Sequence, residues 1–147
     1  MSSPEKVELI PFSAAILINR EVEFGEVYLV DDRLISIPDA NRVRSGRTYH
    51  ETRRVVIIQN NELNYTTFPL VQIAPLAHFT GHNKRRFDIL LEPNEEQGTI
   101  ETASIVHLTL SQPMLRIDLG DRLGTLSRKK SAEITAALLE MLDHSCQ

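Results

Sequence analysis

Two short apolar runs joined by a polar turn constrain the fold of this chain more than any other feature. Residues 55–58 are all β-branched, and residues 68–76 form a second, mainly apolar run. The turn at 59–61 has the sequence Gln-Asn-Asn, which is typical of a chain reversal. Runs of this length and composition predict two buried β-strands. Arg53 and Arg54 stand directly before the first run, and arginine beside a buried strand is costly unless an anion or the structure requires it.

The length and charge of the chain limit the classes of protein to which it can belong. Its 147 residues are enough for one domain with a hydrophobic core. The net charge is −4, so any contact with a polyanion requires a local basic patch. No apolar stretch of the sequence is long enough to span a bilayer. The single cysteine, Cys146, excludes an internal disulfide and a cysteine-based metal site, and it fits a cytoplasmic location.

The order of the predicted elements indicates a mainly β protein. We expect an N-terminal extension over 1–22 and one domain over 23–147, with a long polar loop at 32–52. Ser127 is a suitable N-cap for an amphipathic helix that ends near 143. Strands are predicted at 25–31, 54–59, 69–74, 86–92, 103–110 and 114–118. This pattern favours a small, bent antiparallel barrel with a C-terminal helix packed on it.

Several segments of the chain, in this order, resemble the MazF/PemK family of bacterial toxins. The family's first strand is similar to F-G-E-V-Y-L-V-D at 24–31, and its R-P-V-L-I-I-Q-N segment is similar to R-R-V-V-I-I-Q-N at 53–60. The match continues in the family's order at 68–76, 88–113 and 121–127. The resemblance implies an SH3-like barrel of the CcdB/MazF/PemK type. It also implies a toxin of a toxin–antitoxin pair that cuts single-stranded RNA without a metal or other cofactor.

Metal-free RNA cleavage sets three chemical tasks for the side chains of the protein. The nucleophile is the substrate's own 2′-OH, so the protein must accept its proton, stabilise charge on the phosphorus and protonate the leaving 5′-oxygen. Arginine suits the second task because its planar guanidinium forms bidentate bonds to phosphoryl oxygens. The resemblance gives this role to Arg53, which precedes the position of the family's proline, here Arg54. The alternative is that Arg53 is only a solvated residue at the start of a strand.

Proton transfer requires residues other than those of the family. By the resemblance, Ala77, or Leu76 if the match shifts by one residue, occupies the position of the family's catalytic threonine after the third strand, and neither side chain can carry a proton. His78 and Thr80 are close by and are the candidates for proton transfer, although His78 could equally be an exposed loop histidine. His82 is four residues from His78, but Gly81 disfavours a helix there and the sequence offers no third ligand, so we predict no metal site.

Two further positions depart from the PemK branch of the family. The Arg and Asp of that branch, just before a Gln-Pro pair, correspond here to Thr109 and Ser111. Neither residue can supply the missing charge. His107 lies on the same face of the strand, and we predict that it is buried and hydrogen-bonded. The predicted catalytic residues are therefore Arg53, His78 and Thr80.

Two groups of basic residues are expected to flank one groove of this fold and to follow the phosphates of single-stranded RNA. The predicted RNA-binding residues are Arg42, Arg44, Arg47, Arg54, Lys84, Arg85 and Arg86. Tyr49 and Phe79 in the same loops could stack on bases. The alternative is a pair of ordinary solvated loops with acidic neighbours at Asp39 and Glu51.

The resemblance also implies two protein partners. A homodimer is expected, and the long apolar stretch at 103–118 supports it because it exceeds what a small barrel core needs. The second partner is a cognate antitoxin whose disordered, acidic segment covers the groove.

Two alternatives keep the fold and change the function. One is a catalytically degenerate homologue that binds RNA or an antitoxin peptide, and the other is a CcdB-like topoisomerase poison, whose C-terminal Trp motif this Trp-free chain lacks.

Overall fold

The computed structural model describes residues 20–43 and 47–143 of the chain. The strands within these ranges are β1 (Glu26–Asp31), β2 (Thr52–Ile57), β3 (Leu70–His78), β4 (Ile89–Leu91), β5 (Ser104–Val106), β6 (Gln112–Leu115) and β7 (Arg122–Thr125). The helices are α1 (Asn61–Asn64) and α2 (Arg128–Leu142). Single helical turns connect several of these elements, at Asp32–Leu34, Asp39–Val43, Leu108–Leu110 and Arg116–Asp118.

The seven strands form one antiparallel sheet that curls into a half-barrel. The strand order is β4-β5-β3-β2-β1-β7, and β6 also pairs with β3. The first half of β3 pairs with β6, where Ile73 faces Gln112, whereas its last residues pair with β5, where His78 faces Ser104. This exchange of partners places the start of β2, the end of β3 and the start of β5 at one edge of the sheet.

The alternation of side chains along the strands divides the core between the two faces of the sheet. β2 shows this directly, because Val55 and Ile57 belong to one apolar cluster and Val56 belongs to the other. Ile134 of α2 is completely buried in the cluster that contains Val56. The helix therefore closes that face of the sheet.

The prediction of a mainly β fold with a C-terminal helix is confirmed. Ser127 caps α2 by accepting a hydrogen bond from the Lys130 amide at 3.3 Å. The strand predicted at 103–110 is shorter than expected, since only β5 pairs and the chain then turns at Leu108–Leu110. Leu108 is completely buried within that turn, so an apolar run continues where the strand has ended.

The strand β7 is not predicted by the sequence pattern, because its residues do not alternate between apolar and polar. It pairs with β1 through a register that shifts between Val27 and Tyr28. Gly124 is required at its centre, since a Cβ atom there would lie 2.2 Å from Thr99 Oγ1. Close approach of the backbone, rather than side-chain pattern, thus decides this edge of the sheet.

Part of the apolar stretch at 103–118 packs into the core of the single chain. Ile105, Val106 and Leu108 are completely buried. Leu115 in the same stretch is 36% exposed, so part of its apolar surface remains open to solvent. The most exposed leucines of the described residues lie on α2 instead, at Leu139 (66% exposed) and Leu142 (78% exposed).

Most of the N-terminal extension expected at 1–22 lies outside the described residues. Where the description begins, the Arg20 guanidinium donates to the backbone oxygens of Leu119 and Gly120 at 2.9 and 2.8 Å. Val22 is completely buried in the core. In the part of the chain that is described, no helix combines the length and the apolar character that a membrane span needs.

Candidate functional site

A groove of about 300 Å³ lies at the edge of the sheet where β2 begins and β3 ends. Its walls come from the segment before β2, from both strands and from the chain around the start of β5. The lining residues are His50, Thr52, Arg53, Arg54, Leu76, Ala77, His78, Thr102 and Ser104. No aspartate or glutamate is among them, so the groove has a basic wall without an acidic counterpart.

A buried carboxylate behind the groove holds one of its arginines. Asp32 follows β1, and its side chain is completely buried. Its Oδ1 accepts hydrogen bonds from Arg53 Nε at 2.5 Å and from Arg47 Nη2. Its Oδ2 accepts from the backbone amide of His50 at 2.9 Å. These three donors satisfy the carboxylate and connect the chain before β2 to the end of β1.

The Asp32 carboxyl is held in its ionised form. Burial is the largest single influence on its pKa and acts to raise it. Hydrogen bonds from Arg53 and the His50 amide, together with the charges of Arg53 and Arg47, act in the opposite direction and outweigh burial. The pKa of Asp32 is therefore lowered from its ordinary value, and a buried anion faces the two guanidinium groups at neutral pH.

Arg53 presents a fixed edge of its guanidinium to the groove. Besides the bond from Nε to Asp32, Nη1 donates to the Leu76 carbonyl oxygen at 3.1 Å, and the side chain is 14% exposed. Among the residues that the structure describes, Nη2 has no hydrogen-bond partner, so this donor is available to an anion. Arg54 also lines the groove, and its Nε is buried without a partner in the described part of the chain.

Arg47 occupies a different position from the one that an RNA contact requires. Its side chain is only 4% exposed and donates to Asp32 and, at 2.5 Å, to the Ile35 carbonyl oxygen. The guanidinium also lies over the Tyr49 ring, 4.5 Å from the ring centroid. Arg47 is therefore an internal residue that balances the charge of Asp32. Tyr49, expected to stack on bases, is stacked on this arginine.

The three predicted catalytic residues do not all meet in the groove. His78 is the last residue of β3 and lines the groove beside Ala77. Thr80 lies in the following loop, where its amide donates to Asn83 Oδ1 at 2.9 Å, and it is not a lining residue. The groove brings together Arg53 and His78 without Thr80.

The basic triplet at 84–86 lies on the loop after β3 and does not line the groove. All three side chains are exposed, and Arg86 pairs with Glu140 of α2 at 2.9 Å. This pair is exposed at both ends, so it contributes little to stability. Two other predicted RNA contacts, the side chain of Arg42 and all of Arg44, lie outside the described residues.

His107 is confirmed as a largely buried, hydrogen-bonded histidine. Its Nδ1 lies 3.1 Å from Asp88 Oδ1, and its side chain is 15% exposed. Thr109 and Ser111 follow it and do not line the groove. The Ser111 hydroxyl donates instead to the backbone oxygen of Leu108 at 2.5 Å. The groove therefore draws its charge from β2 and not from this segment.

Four polar residues of the groove are not singled out by sequence patterns. They are His50, Thr52, Thr102 and Ser104. His50 stands in a polar loop among many similar residues, and only its bond to Asp32 fixes its place. Ser104 reaches the site because β5 pairs with the end of β3, a neighbour relation that a single sequence does not reveal.

The comparison with known protein families decides the class of this domain. The family model described as PemK-like, MazF-like toxin of type II toxin–antitoxin systems matches residues 23–142. The chain belongs to the PemK/MazF-like toxin family. No curated protein matches this MazF-like toxin.

Solved structures with the same fold include toxins of this family. An endoribonuclease from a mycobacterial species, in complex with its cognate antitoxin, is 17% identical, with 82% of this chain and 94% of that chain covered and a TM-score of 0.58. Another mycobacterial endoribonuclease is 17% identical, with coverages of 84% and 92% and a TM-score of 0.57. MazF with MazE from Deinococcus radiodurans is 13% identical, with coverages of 84% and 96% and a TM-score of 0.56. These similarities establish the shared fold.

In this MazF-like toxin the groove has no hydroxyl at the position of Ala77, which is one of its lining residues. Three other residues that carry hydroxyl groups, Thr52, Thr102 and Ser104, line the same groove. The Ser104 hydroxyl donates to the Thr102 carbonyl oxygen at 2.9 Å. Within the described ranges, no three His, Cys, Asp or Glu side chains are grouped in a way that could hold a metal ion.

Proposed function

We propose that this toxin is a metal-independent endoribonuclease that cuts single-stranded RNA in the groove at the edge of β2 and β3. The observation that carries this proposal is the state of Arg53. A buried carboxylate fixes one side of its guanidinium, while Nη2 is left without a partner among the described residues. Arg54 adds a second cation and no carboxylate lines the groove. The two cations attract a phosphodiester to the groove. This electrostatic attraction becomes stronger as negative charge grows on the phosphoryl oxygens.

The fixed orientation of Arg53 suits transition-state stabilisation. A guanidinium held by Asp32 and the Leu76 carbonyl does not need to reorganise when charge develops on the substrate. His78 lines the same groove and supplies an imidazole, a group that can accept or donate a proton. The exposed triplet at 84–86, on the loop that continues from His78, extends the basic surface along the RNA backbone.

Two partners belong to the proposal. A cognate antitoxin would cover the groove with a disordered, acidic segment, since its carboxylates would take the place of phosphates on Arg53 and Arg54.

A second copy of the toxin would form a homodimer, for which the exposed Leu139 and Leu142 provide apolar surface. Light scattering that finds only the 16.7 kDa monomer at micromolar concentration would contradict the dimer. We also propose a cytoplasmic location, since the proposed RNA substrate is present there.

A matched pair of variants tests the role of Arg53. Arg53→Met and Arg47→Met each remove one of the two arginines on Asp32, but only Arg53 lines the groove. We expect both variants to lower the free energy of unfolding to a similar extent. Only Arg53→Met should also lower the cleavage rate on mixed-sequence single-stranded RNA, by about 10²–10³-fold, because it removes a transition-state donor.

The assay uses purified full-length protein free of antitoxin, at a temperature where both variants are folded, with and without a chelator. Chelation should leave the rate unchanged. Equal rates for Arg53→Met and wild type would remove Arg53 from the mechanism. If wild type leaves the RNA intact yet binds it in a salt-sensitive way, the binding-only alternative replaces cleavage, and Ala77 in the groove would account for the lost chemistry.

A further inference from the structure

We propose that His50 is a second catalytic residue, so that His50 and His78 together carry the two proton transfers of RNA cleavage. The inference rests on the proposed endoribonuclease function and names a residue that the resemblance does not supply. Both histidines line the groove that contains Arg53. The fold therefore places two histidines in the groove that contains the guanidinium proposed to hold the phosphate.

The composition of the groove leaves few other groups for proton transfer. Apart from the histidines, its lining consists of two arginines, three residues with hydroxyl groups and two apolar residues. Guanidinium and hydroxyl groups ordinarily lose a proton only far above neutral pH, whereas imidazole is the side chain whose ordinary pKa lies near it. No carboxylate lines the groove, and Asp32 is completely buried behind Arg53. Two proton transfers near neutral pH therefore fall to two histidines.

Both histidines are positioned relative to Arg53 by short connections. The His50 amide donates to Asp32 Oδ2 at 2.9 Å, and Arg53 Nε donates to Oδ1 of the same carboxylate at 2.5 Å. On the other side, Arg53 Nη1 binds the carbonyl of Leu76, two residues before His78. The backbone of each histidine is thus connected to Arg53, through Asp32 on one side and through Leu76 and Ala77 on the other.

The two imidazole rings are also free to act on a substrate. Among the residues that the structure describes, neither ring makes a hydrogen bond, and both residues are exposed. His107 provides the contrast, because its Nδ1 lies 3.1 Å from the buried Asp88 carboxylate. The rings of His50 and His78 have no such partner among the described residues, so both nitrogens of each ring are open to a bound RNA.

The proposed reaction balances with these groups alone. One neutral imidazole takes the proton of the 2′-OH as the 2′-oxygen bonds to phosphorus, while Arg53 stabilises the added negative charge. The bond from phosphorus to the 5′-oxygen breaks, and the other imidazole, initially protonated, gives its proton to that oxygen. The products are a 2′,3′-cyclic phosphate and a 5′-hydroxyl. The base ends protonated and the acid ends neutral, and exchange with water restores both.

The first test measures kcat/KM against pH for wild type, His50→Gln and His78→Gln, with His82→Gln as the control. His82 is an exposed histidine on the neighbouring loop that does not line the groove. Each groove variant should lose about 10²–10⁴ in rate and one limb of the bell-shaped profile, because general acid–base catalysis contributes this much. The control should keep both limbs. Binding of an all-2′-deoxy oligonucleotide of the cleaved sequence should remain close to wild type in all variants.

The second test separates the acid from the base. An RNA in which sulfur replaces the 5′-bridging oxygen at the cleaved phosphate has a leaving group that needs no proton. We expect one groove variant to regain the wild-type rate on this substrate and the other to remain slow. Recovery of both or of neither, or a His50→Gln variant as active as wild type on ordinary RNA, overturns the inference while the proposed function stands. Wild type that fails to cut RNA overturns both.

Discussion

Arg53 at the groove and Arg116 elsewhere in the molecule differ in the groups that accept hydrogen bonds from their guanidinium nitrogens. At the groove, Arg53 and Arg47 share the carboxylate of Asp32, and one edge of Arg53 faces the solvent. Arg116 is 1% exposed, and within residues 20–43 and 47–143 its Nη1 and Nη2 donate only to the carbonyl oxygens of Arg20 and Leu63, at 3.3 and 3.2 Å. Its Nε has no partner in the described part of the chain, and burial lowers the pKa of its guanidinium.

The difference shows that burial by itself does not mark a functional arginine. Arg116 joins two backbone segments and has no access to a ligand, so its charge serves the fold. Arg53 is oriented by an anion and retains a donor with no partner among the described residues, so this donor is available to a second anion in the groove. A carboxylate on one side and an open groove on the other are the features that separate the two sites.

Removal of the Asp32 carboxylate should lower the free energy of unfolding more than any other change considered below. Asp32→Asn leaves Arg47 and Arg53 partly buried without a counter-ion, and breaking such a pair typically costs about 3–5 kcal/mol of unfolding free energy. Urea unfolding measures the change. Asp31→Asn is the matched control, since the neighbouring carboxylate is exposed and accepts only from the Arg33 amide; it should cost no more than about 1 kcal/mol. Equal losses in the two variants would show that Asp32 is not the anchor of the site.

Low pH should weaken the Asp32 site and not the Arg116 site, because only the first depends on an ionised carboxylate. The pKa of Asp32 is lower in the folded than in the unfolded protein, where it is about 3.9. Its ionised form therefore stabilises the fold fully above the unfolded-state pKa, and this contribution is lost as pH falls below about 4 and through the folded-state pKa. Unfolding free energies measured from pH 6 downward should fall more steeply for wild type than for Asp32→Asn. Parallel curves would contradict the ionised state of Asp32.

The smallest effect is expected at the second arginine. Arg116→Met removes the buried charge together with its desolvation cost and keeps most of the side-chain volume, so the unfolding free energy should change by no more than about 1–2 kcal/mol. RNA cleavage should remain at the wild-type rate, because Arg116 does not line the groove. A loss as large as that of Asp32→Asn would mean that carbonyl groups stabilise a buried guanidinium as well as a carboxylate does.

Much of the fold follows from patterns that the sequence displays. The β-branched run at 55–58 predicts a buried strand, and Ser127 before an amphipathic segment predicts the helix that begins at Arg128. The strand β7 is not predicted, because its residues do not alternate between apolar and polar. Gly124 is required there because Thr99 leaves no space for a Cβ atom. The spacing of apolar residues indicates which face of a helix or strand is buried. A contact between segments that are distant in the sequence produces no such periodic pattern.

The candidate site is predictable only in part for the same reason. Arg53 is found because it precedes a strand that is easily recognised. Asp31 and Asp32 are adjacent and chemically identical, yet the structure buries the second and exposes the first. The choice depends on Arg47, 15 residues later, whose sequence neighbours suggested an RNA contact instead. Charge pairing across a loop is a property of the folded chain.

The position of β5 has a consequence for how a cell makes this protein. The groove needs Ser104, which joins it only when β5 pairs with the end of β3, and α2, which closes one face of the sheet, is made later still. A chain on the ribosome that has not reached residue 104 contains Arg53 and His78 but lacks a complete groove. Translation thus separates the synthesis of the side chains that line the groove from their assembly into one site.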